Sequence, residues 1–523
     1  MSEPRDLQEE AFRFLADPRT HGLAGIVTRV DTANAVVFLA GADVYKVKRA
    51  VRFPFMDFST LDKRRAACEA EIEVNRDNAP GVYLGALPIV RQGAALAIGG
   101  RGEIVEWAVH MRRFDETATL DGVAEGEGVS DAIIDRLAIA IRRSHTLSPL
   151  RDGARAVHEL ETYIAQNDAA FASWSDLFPE AQARRLTQES RLAFSIARPA
   201  MLARGAAGYV RRCHGDLHLG NIVLIDGKPT LFDAVEFSDA IASGDVLYDL
   251  AFLLMDLEER GLRPAANRLF NRYLWPDPPE ALAGLAALPL FLSLRAAIRA
   301  KVEAASAERL AGEARERARR LARDYFDRSG GFLRYAPPRL IGVGGLSGAG
   351  KSALAQALAP RIGRAPGALW LRSDVERKAM FQVGETDRLP DSAYAPDVSH
   401  EVYRRIDAKA RQALKAGHSV VLDATFSASR KRAAAGRAAA EVGVAFEGLF
   451  LEAPLAARLA RIGDRDADAS DADERIAQAQ AADPLGERGW SRLDASGNLD
   501  RTVALASRRL GLPDRAWSFK GPA

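Results

Sequence analysis

The stretch HGDLHLGN, His214–Asn221, places two histidines, an aspartate and an asparagine in one short segment. Histidines at this spacing suggest a zinc site, but no third His, Cys or carboxylate follows at the usual interval, which argues against zinc. The informative pair is Asp216 and Asn221, which are separated by four residues. A short irregular loop with this spacing aims a carboxylate and a carboxamide at one point.

The interval between Asp216 and Asn221 is that of the protein-kinase catalytic loop, H-R-D-L-x-x-x-N. In such a loop the aspartate accepts a proton from the attacking hydroxyl, and the asparagine holds a magnesium ion on the transferring phosphate. Asp233, at the end of the apolar strand PTLF, supplies a further carboxylate for the metal. We expect His214 and His218 to hydrogen-bond the loop as scaffold residues.

A site of this kind also needs a cation on the α- and β-phosphates, paired with a helical glutamate. The stretch DVYKVKRAV offers Lys46 and Lys48 on one face of a predicted strand, because strand side chains alternate. The stretch CEAEIEV offers Glu69, Glu71 and Glu73. We favour Lys46 with Glu71 as nucleotide-binding residues and expect the other three charges to be solvated.

HGDLHLGN matches H-G-D-x-H-x-x-N, the signature loop of the aminoglycoside phosphotransferase and choline kinase-like superfamily, at every defined position. The resemblance covers about residues 20–328. GDVLYDLAFLL resembles the superfamily's downstream helix start, where Asp245 or Asp249 braces the catalytic loop, and we favour Asp249. The resemblance implies a bilobal kinase fold and ATP-dependent transfer to a small-molecule hydroxyl. Two departures are a first hairpin without the glycine-rich loop of protein kinases and DAV in place of D-F-G.

A second motif, GLSGAGKS, satisfies G-x-x-x-x-G-K-[ST] and lies between the strand LIGVG and the helix ALAQALAPRI. In such a P-loop the backbone amides cradle phosphates, the lysine reaches the β- and γ-phosphates, and the hydroxyl binds magnesium. The motif predicts ATP binding, with GTP as the alternative nucleotide and with Ser352 on Mg²⁺. The nucleotide-binding residues are Gly345, Leu346, Ser347, Gly348, Ala349, Gly350, Lys351 and Ser352.

Two further carboxylates follow apolar strands near this P-loop. Asp423 ends HSVVLDATF and is a Walker-B-like ligand for magnesium or its water shell. Asp374, in ALWLRSDVERKAMF, is well placed to be a general base on a substrate hydroxyl. The adjacent cations Arg377 and Lys378 are expected to hold an anionic substrate.

The later stretch RLARIGDRDAD carries Arg461 and Arg465 on a predicted helix. These arginines are candidates to close over the phosphates as a lid, and a solvated basic helix is an equal alternative. Roughly residues 339–510 resemble the small P-loop kinases, among them gluconate and adenylylsulfate kinases, zeta toxin-like kinases and the kinase part of polynucleotide kinase. The alternation and the P-loop establish only a nucleotide site; kinase chemistry here rests on Asp374 and on the resemblance.

Length and composition set wider bounds. The chain of 523 residues is long enough for two to four domains. Its net charge of +2 gives no case for nucleic-acid or membrane binding. Two distant cysteines form no disulfide framework, and the N-terminus has no apolar leader, so we expect a cytoplasmic protein. The apolar stretch Leu282–Ile298 contains Pro289 and Arg295 and is predicted to be a buried helix pair.

These patterns predict an α/β multidomain protein. The resemblance implies that residues 1–328 form a bilobal, protein kinase-like α+β domain. The apolar runs predict a mostly antiparallel sheet in its N-lobe, at about 20–112, and a helical C-lobe at about 113–328. The segment 59–79 is a helix within the N-lobe, DGK marks a hairpin in the C-lobe, and residues 303–329 form one charged amphipathic helix. Residues 329–338 are a linker, and residues 339–523 form a P-loop domain of three α/β layers with a parallel sheet.

The primary hypothesis is a bifunctional phosphotransferase with two ATP sites, each acting on a small-molecule hydroxyl. An alternative is that one half is a non-catalytic nucleotide sensor that regulates the other half or a partner. A third hypothesis is phosphorylation of an RNA or nucleotide end by the second domain, which the near-neutral net charge weakens. The shared fold of such kinases leaves both substrates open.

Overall fold

The computed structural model describes residues 4–53, 56–126, 128–463, 469–471, 474–486 and 488–513. The chain divides into two compact units. The first comprises Met1–Ala156 with Gly208–Leu250, and the second comprises Val157–Ala207 with Ala251–Ala523. The predicted domain boundaries stay a prediction.

The strands and helices of the described residues have the following bounds. The strands are β1 Thr28–Asp31, β2 Ala35–Ala40, β3 Asp43–Lys48, β4 Arg52–Phe53, β5 Met56–Asp57, β6 Tyr83–Gln92, β7 Ala95–Ile98, β8 Glu103–Arg112, β9 Val210–Arg212, β10 Ile222–Ile225, β11 Lys228–Leu231, β12 Ser243–Asp245, β13 Arg339–Gly345, β14 Leu369–Arg372, β15 Val420–Asp423, β16 Ala445–Glu452 and β17 Trp490–Asp494. The α-helices are α1 Pro4–Ala16, α2 Leu61–Asn75, α3 Leu120–Glu125, α4 Asp131–Leu147, α5 Gly153–Ser173, α6 Glu180–Ala206, α7 Asp239–Ala242, α8 Val246–Glu259, α9 Arg263–Leu274, α10 Leu288–Arg309, α11 Gly312–Leu333, α12 Lys351–Leu358, α13 Ser373–Met380, α14 Pro396–Lys415, α15 Ser429–Val442, α16 Leu455–Gly463, α17 Glu474–Ala479 and α18 Leu499–Arg509. Short 3₁₀ turns cover Pro18–His21, Glu116–Ala118, Leu219–Asn221, Pro279–Ala286, Ala359–Arg361 and Asp391–Tyr394.

The first unit is built on a six-stranded antiparallel sheet in the order β1-β2-β3-β8-β6-β7. Because strand side chains alternate between faces, the apolar residues of β2 pack against helices on both faces of the sheet. Val36 and Phe38 pack with α1, whereas Leu39 packs with Cys68 and Ile72 of α2. The predicted antiparallel sheet with one helical insertion is therefore confirmed, and α2 is held against the strand that carries Lys46 and Lys48.

A two-residue hairpin positions the second half of this unit's site. β10 and β11 pair antiparallel from Ile222 opposite Leu231 to Ile225 opposite Lys228. The turn residues Asp226 and Gly227 both have positive φ, 51° and 70°, as a type I′ turn requires. The hairpin connects the end of the HGDLHLGN loop to Asp233.

The second unit contains a five-stranded parallel sheet in the order β14-β15-β13-β16-β17. Its core is formed by apolar side chains of β13, β15, β16, α12 and α18, including Ile341, Val343, Leu354, Val421, Leu449 and Leu451. Parallel strands buried on both faces read as continuous apolar runs, which is why LIGVG and VVLD were recognisable. The parallel α/β sheet predicted for this region is confirmed.

Helix α9 covers the β14 edge of this sheet. Asn271 Oδ1 accepts a hydrogen bond from the backbone N–H of Trp370 at 2.6 Å. One turn earlier, Asn267 Nδ2 donates to the carbonyl of Ala368 at 3.0 Å. The two asparagines thus supply the partners that a neighbouring strand would otherwise give to an edge strand. The unit that contains the parallel sheet accordingly includes helices that precede the predicted linker.

The charged segment 303–329 differs from the single helix that its periodicity predicts. α10 ends at Arg309 and α11 begins at Gly312, whose φ of +57° interrupts the helical backbone. α11 then continues through Leu333, so Gly330 and Gly331 are helical although they were expected in the linker. Glycine in a helix costs only about 1 kcal/mol relative to alanine, which tertiary packing can outweigh.

No single helix among the described residues is long and apolar enough to cross a membrane. The bent pair Pro279–Ala286 and Leu288–Arg309, whose axes differ by 48°, would pass that test by length and composition only. Side chains of this pair, among them Leu282, Leu290 and Phe291, are buried within the second unit, as expected for the stretch Leu282–Ile298.

Candidate active sites

The HGDLHLGN loop of the first unit follows β9 and ends in the turn Leu219–Asn221. Asn221 is buried, and its Nδ2 donates to Asp216 Oδ2 at 3.0 Å and to the Asp216 carbonyl at 2.9 Å. The Asp216 side chain keeps 45% of its surface exposed. The carboxylate therefore faces solvent while the asparagine holds its orientation.

Hydrogen bonds with buried groups hold the backbone of this loop in place. Asp249 accepts from the backbone N–H of Gly215 at 2.8 Å and of His214 at 3.3 Å. Gly215 has φ +84°, and a Cβ at this position would lie 3.2 Å from Val235. His214 Nε2 donates to the Phe232 carbonyl at 2.9 Å. Burial lowers the pKa of His214, which keeps the ring neutral and favours a scaffold role.

His218 lies on the open side of the loop. Its Nδ1 accepts from the Gly220 N–H at 3.1 Å, and its Nε2 is 3.5 Å from Asp216 Oδ2. His145, which the sequence did not connect with the site, contacts Asp249 at 3.1 Å. Cys213 approaches the same two side chains within 4.8 Å. Since Asp249 already accepts three hydrogen bonds, this group forms a protein hydrogen-bond network.

Asp233 follows the hairpin and lies beside the β3 lysines. Its backbone adopts φ +60°, a left-handed conformation that aspartate tolerates better than most residues. Its N–H donates to the hydroxyl of Tyr83 at 3.0 Å, and the next N–H, of Ala234, donates to Asn75 Oδ1 at 2.8 Å. Tyr83 and Asn75 thus fix the segment that replaces D-F-G, and neither residue was singled out from the sequence. Asn75 lies one helical turn after Glu71, which is the signal that would have identified it.

Lys46 contacts its predicted partner Glu71 and also Asp233, which was predicted as a magnesium ligand. Its Nζ lies 2.9 Å from Glu71 Oε1 and 2.5 Å from Asp233 Oδ1. Burial alone would lower the pKa of Lys46, but the two carboxylates raise it well above its usual value. The lysine is therefore charged at neutral pH, and the structure contains the Lys46–Glu71 pair that the sequence favoured.

Lys48 is not solvated, contrary to expectation. It is 1% exposed, its Nζ lies 2.5 Å from Glu71 Oε2, and it also hydrogen-bonds Glu236. Glu69 remains at the surface in a pair with Arg65. Burial would raise the pKa of Glu71, yet the two lysines lower it to about 2. Both lysines lie on the face of the strand that packs against α2, so a single glutamate, Glu71, forms ion pairs with both.

The P-loop of the second unit connects β13 to α12. Gly348 and Gly350 have φ values of +80° and +91°. A Cβ on Gly348 would lie 2.4 Å from the carbonyl oxygen of Arg458, so this position requires glycine. Lys351 Nζ donates to the Leu346 carbonyl at 3.3 Å, folding the side chain over the loop. The loop residues Gly345 to Ser352 thus have the strand–loop–helix setting of a phosphate cradle.

Asp423 ends β15 directly opposite Val343 of β13, the strand that leads into the P-loop. The carboxylate is buried, and its Oδ2 has no hydrogen-bond partner within the described part of the chain. Arg372 Nε is 3.7 Å away. A buried carboxylate oxygen left without a hydrogen-bond donor fits a bound cation, because a buried polar atom without a hydrogen bond is otherwise costly. Asp423 together with Ser352 therefore fits a magnesium site.

Asp374 is the second residue of α13, which follows β14 directly, and it makes no hydrogen bond or ion pair with the described residues. Burial raises its pKa; Lys351 opposes this shift and Asp423 adds to it. The same interactions show that Asp374 lies in the electrostatic field of the P-loop lysine and the Walker-B-like carboxylate. A carboxylate with a raised pKa beside a nucleotide site is suited to accept a proton.

The predicted substrate cations Arg377 and Lys378 are both buried. Lys378 Nζ pairs with Asp471 at 3.0 Å and also donates to the Asp387 carbonyl. Arg377 donates to the Ala393 carbonyl at 2.6 Å and to Ser399 at 3.4 Å. Lys378 therefore holds the segment after α13, whereas the charge of Arg377 is not matched by a carboxylate contact in the described residues.

The lid candidates have different outcomes. Arg461 Nη2 donates to the carbonyls of Ala495 and Gly497, each at 2.7 Å, and its Nη1 lies 3.5 Å from the Ala349 carbonyl. In this structure Arg461 therefore ties the β17–α18 connection to the P-loop backbone. Arg465 lies outside the described residues.

Comparisons with known proteins match two regions of the chain. The model of the family described as "Phosphotransferase enzyme family" matches residues 83–287, and the model described as "AAA domain" matches residues 340–483. Among solved structures, the chain is similar to a choline/ethanolamine kinase family protein from Mesorhizobium loti, with 17% identity, a TM-score of 0.35, and coverage of 63% of this chain and 95% of that one. It is also similar to a gluconokinase from Sinorhizobium meliloti, with 22% identity, a TM-score of 0.24, and coverage of 34% and 95%.

Uncharacterized proteins of Mycobacterium bovis and Mycobacterium tuberculosis are similar over nearly the whole length. Each is 31% identical over 491 residues, which is 91% of this chain and 94% of the relative. The matched phosphotransferase domain and P-loop domain make the protein an enzyme of the kinase type. The chain belongs to the same family as these mycobacterial proteins, and it joins a phosphotransferase domain and a P-loop kinase-like AAA domain in one polypeptide.

Proposed function

We propose that the protein is a bifunctional ATP-dependent phosphotransferase whose two sites each phosphorylate the hydroxyl group of a small molecule. The observation that carries the proposal is a pair of side-chain contact groups in the first unit. Lys46 contacts both Glu71 and Asp233, and Asp216 contacts Asn221. These residue types, in this connectivity, are the ones that phosphoryl transfer requires.

In the first site, Asp216 accepts the proton from the acceptor hydroxyl as the O–H bond breaks. The acceptor oxygen forms its bond to the γ-phosphorus, the bond to the β–γ bridging oxygen breaks, and ADP leaves. Lys46, positioned by Glu71, binds the α- and β-phosphates. The exposure of the Asp216 carboxylate supports this role, because the base must be reachable by the acceptor.

In the second site, the P-loop backbone and Lys351 bind the triphosphate, and Asp374 takes the acceptor proton. The lack of any hydrogen bond to Asp374 from the described residues supports this role, since its oxygens are available to a substrate. Its raised pKa makes it a better proton acceptor than an ordinary aspartate.

Magnesium would be held by Asn221 and Asp233 in the first site and by Ser352 and Asp423 in the second. The unpartnered Asp423 Oδ2 supports the second assignment. In the first site, Lys46 and Lys48 face Glu71, Asp233 and Glu236, so the carboxylates outnumber the lysines by one and a cation is electrostatically favoured. When bound, the ion neutralises charge on the phosphates.

The test is a pair of substitutions in the full chain, Asp216→Asn and Asp374→Asn, assayed with labelled ATP against a panel of metabolite alcohols. We expect each variant to lose transfer to a different acceptor by about 10²–10⁴-fold and to keep the other activity. Asp176→Asn, on a surface aspartate whose side chain is 67% exposed, is the matched control. One substitution that abolished both activities would contradict two independent sites, and nucleotide binding without any product from one site would favour a nucleotide sensor there.

A further inference from the structure

A cavity of about 310 Å³ in the second unit is lined mainly by basic side chains. Three segments form its walls: the connection between α8 and α9, the end of α11 with the residues after it, and the loop between α12 and β14. The charged residues of the lining are Arg263, Arg328, Arg334, Arg364 and Glu258. Four guanidinium groups therefore share the cavity with one carboxylate. Its volume is that of a small-molecule site, which starts at about 300 Å³.

Arg364 is the arginine of this cavity whose charge is least compensated. It makes no hydrogen bond or ion pair with any residue that the structure describes, and its Nε is buried. The guanidinium lies 5.1 Å from the ring centre of Tyr335, which is itself exposed. Burial lowers the pKa of Arg364. A ring face offsets only part of a guanidinium charge and leaves the N–H edge available to an anion.

Two further arginines of the cavity donate to backbone carbonyls. Arg328 donates to the last carbonyls of α8, at 3.2 and 2.9 Å. Arg263 donates to the carbonyls of Pro360 and Gly363, at 2.7 and 3.2 Å. Its Nε also lies 3.6 Å from Glu258 Oε1. A carbonyl satisfies a hydrogen bond but carries only a partial charge, so one carboxylate remains the principal counter-charge of the cavity.

Glu258 itself has an unused acceptor. The residue is 8% exposed, and its Oε1 has no hydrogen-bond partner within the described residues. Burial raises the pKa of Glu258, while the charges of Arg263 and Arg328 oppose this shift. A buried acceptor without a donor is costly, so a ligand that brings a hydroxyl group to this oxygen is favoured.

The loop that carries Arg364 is anchored on both sides of this residue. Arg263 binds the Gly363 carbonyl, and His418 Nε2 contacts the Gly367 carbonyl at 2.9 Å. Burial is the main cause of the lowered pKa of His418, and the charges of Arg364 and Arg263 lower it further. The two guanidinium groups are thus held near each other before any ligand binds, and an anion between them would relieve their repulsion.

The cavity lies at the opposite end of the parallel sheet from the P-loop. The loop that lines it leads into β14, whose first residue, Leu369, is level with Val420 of β15. Leu340, near the start of β13, is level with the same residue. The P-loop begins at Gly345, roughly 16 Å further along that strand. A molecule in the cavity is therefore out of reach of Asp374 and is not the acceptor of the P-loop site.

We infer that this cavity binds the phosphate group of a small molecule, which Arg364 contacts through its free N–H edge together with the neighbouring arginines. The planar guanidinium fork matches the geometry of phosphate oxygens. A free phosphate ion and a phosphorylated metabolite share this chemistry, and Glu258 Oε1 favours the metabolite because it can accept from a hydroxyl group of the same molecule. This binding site is additional to the two proposed catalytic sites and does not depend on their activity.

Calorimetry with the full chain tests the site after both nucleotide sites have been filled with magnesium and a non-hydrolysable ATP analogue. The probes are ribose 5-phosphate, inorganic phosphate and ribose. We expect ribose 5-phosphate to bind most tightly and ribose not to bind. Arg364→Gln should weaken binding of both phosphates about tenfold or more, the usual size of a lost charge-assisted contact. Arg317→Gln, at an exposed position about three helical turns before Arg328, should leave binding unchanged.

Thermal unfolding separates a binding role of Arg364 from a structural role. Because Arg364 makes no hydrogen bond with the described residues, we expect Arg364→Gln to leave the Tm of the ligand-free protein unchanged or to raise it. Saturating ribose 5-phosphate should raise the Tm of the wild type and of Arg317→Gln but not that of Arg364→Gln. Arg364→Lys, which keeps the charge but not the fork, should bind with intermediate affinity.

The outcomes distinguish the ligand and the site. Equal phosphate affinity in the wild type, Arg364→Gln and Arg317→Gln would overturn the site, as would equal binding of ribose and ribose 5-phosphate. A lower Tm of ligand-free Arg364→Gln, without a phosphate-induced shift in the wild type, would also overturn it and assign the arginine to stability. Binding that depends on Arg364 but is as tight for inorganic phosphate would support the phosphate site and identify the free ion as its ligand.

Discussion

At the scale of single residues, the two lysines of β3 differ in how deeply they lie in the ion-pair cluster. Lys46 contacts Asp233, whose side chain is 41% exposed, so this lysine lies at the open side of the cluster. Lys48 lies deeper, between Glu71 and Glu236. The first lysine is therefore suited to contact a nucleotide, and the second neutralises carboxylates that would otherwise repel each other.

Replacing each lysine in turn should separate an effect on nucleotide binding from an effect on stability. Lys48→Met leaves buried Glu71 and Glu236 with one cation fewer, and we expect the free energy of unfolding to fall by about 3–5 kcal/mol in urea denaturation. Lys46→Met should mainly weaken binding of the ATP analogue at the first site. Lys63→Met, which breaks a surface pair with Asp57, should cost at most about 1 kcal/mol. A Lys48→Met variant with unchanged stability would contradict the buried cluster.

His418 should make the second unit acid-sensitive. It is buried, its Nε2 contacts the Gly367 carbonyl at 2.9 Å, and burial lowers its pKa from 6.5 to about 4. The unfolded chain therefore binds more protons between these two values, so stability falls as pH decreases from 6.5 towards 4 and changes no further below both. A shift of this size corresponds to roughly 3 kcal/mol.

Thermal unfolding at several pH values measures this effect. His418→Gln should flatten the dependence between pH 6.5 and about 4, because glutamine does not titrate there. His158→Gln, at a side chain that is 73% exposed, should leave the curve of the wild type unchanged. Identical curves for His418→Gln and the wild type would assign the acid sensitivity to other groups.

At the scale of elements, helix α9 acts as the missing neighbour of β14. Its asparagines are four residues apart, about one helical turn, and satisfy backbone groups of Ala368 and Trp370, which are two residues apart along the edge. β14 leads directly into α13 with Asp374 and Arg377, so the covered edge also holds the start of the second site. Trp275, just after α9, donates from its Nε1 to the Val375 carbonyl at 3.1 Å and strengthens this support.

Asn271→Leu should destabilise the second unit. The Trp370 N–H would lose its acceptor while staying buried, which costs about 1–3 kcal/mol and is measured by denaturant unfolding. Asn271→Asp is the matched variant, because it keeps the acceptor for Trp370 and, like Asn271→Leu, loses the donations to the carbonyls of Asn267 and Ala368 and to Asn267 Oδ1. Equal losses in the two variants would show that the Trp370 hydrogen bond contributes nothing.

At the scale of the whole molecule, the two proposed nucleotide sites belong to different compact units of one chain. Calorimetry with a non-hydrolysable ATP analogue should therefore give two bound nucleotides per chain. Lys351→Ala should remove one of them and Lys46→Met the other, because each lysine serves a different triphosphate. A stoichiometry of one in the wild type, or loss of both sites in either variant, would contradict this arrangement.

The sequence by itself determined the two motif loops and the classes of fold around them. The interval from Asp216 to Asn221 and the glycines of the P-loop act within one short loop, where the covalent chain limits the reachable geometry. The apolar periodicities of the strands likewise determined an antiparallel sheet in one region and a parallel sheet in the other, because each side chain's face follows from its position in the strand.

Only the tertiary structure decided which groups these loops would meet. Lys48 became a buried ion-pair partner because α2 packs on its face of the sheet, and Tyr83 and Asn75 reached the segment at Asp233 from distant positions in the chain. Arg377 and Lys378 are neighbours in sequence, yet Asp471 neutralises only Lys378. Such contacts depend on packing between elements far apart in the chain, and local spacing carries no information about which opposite charge packing will supply.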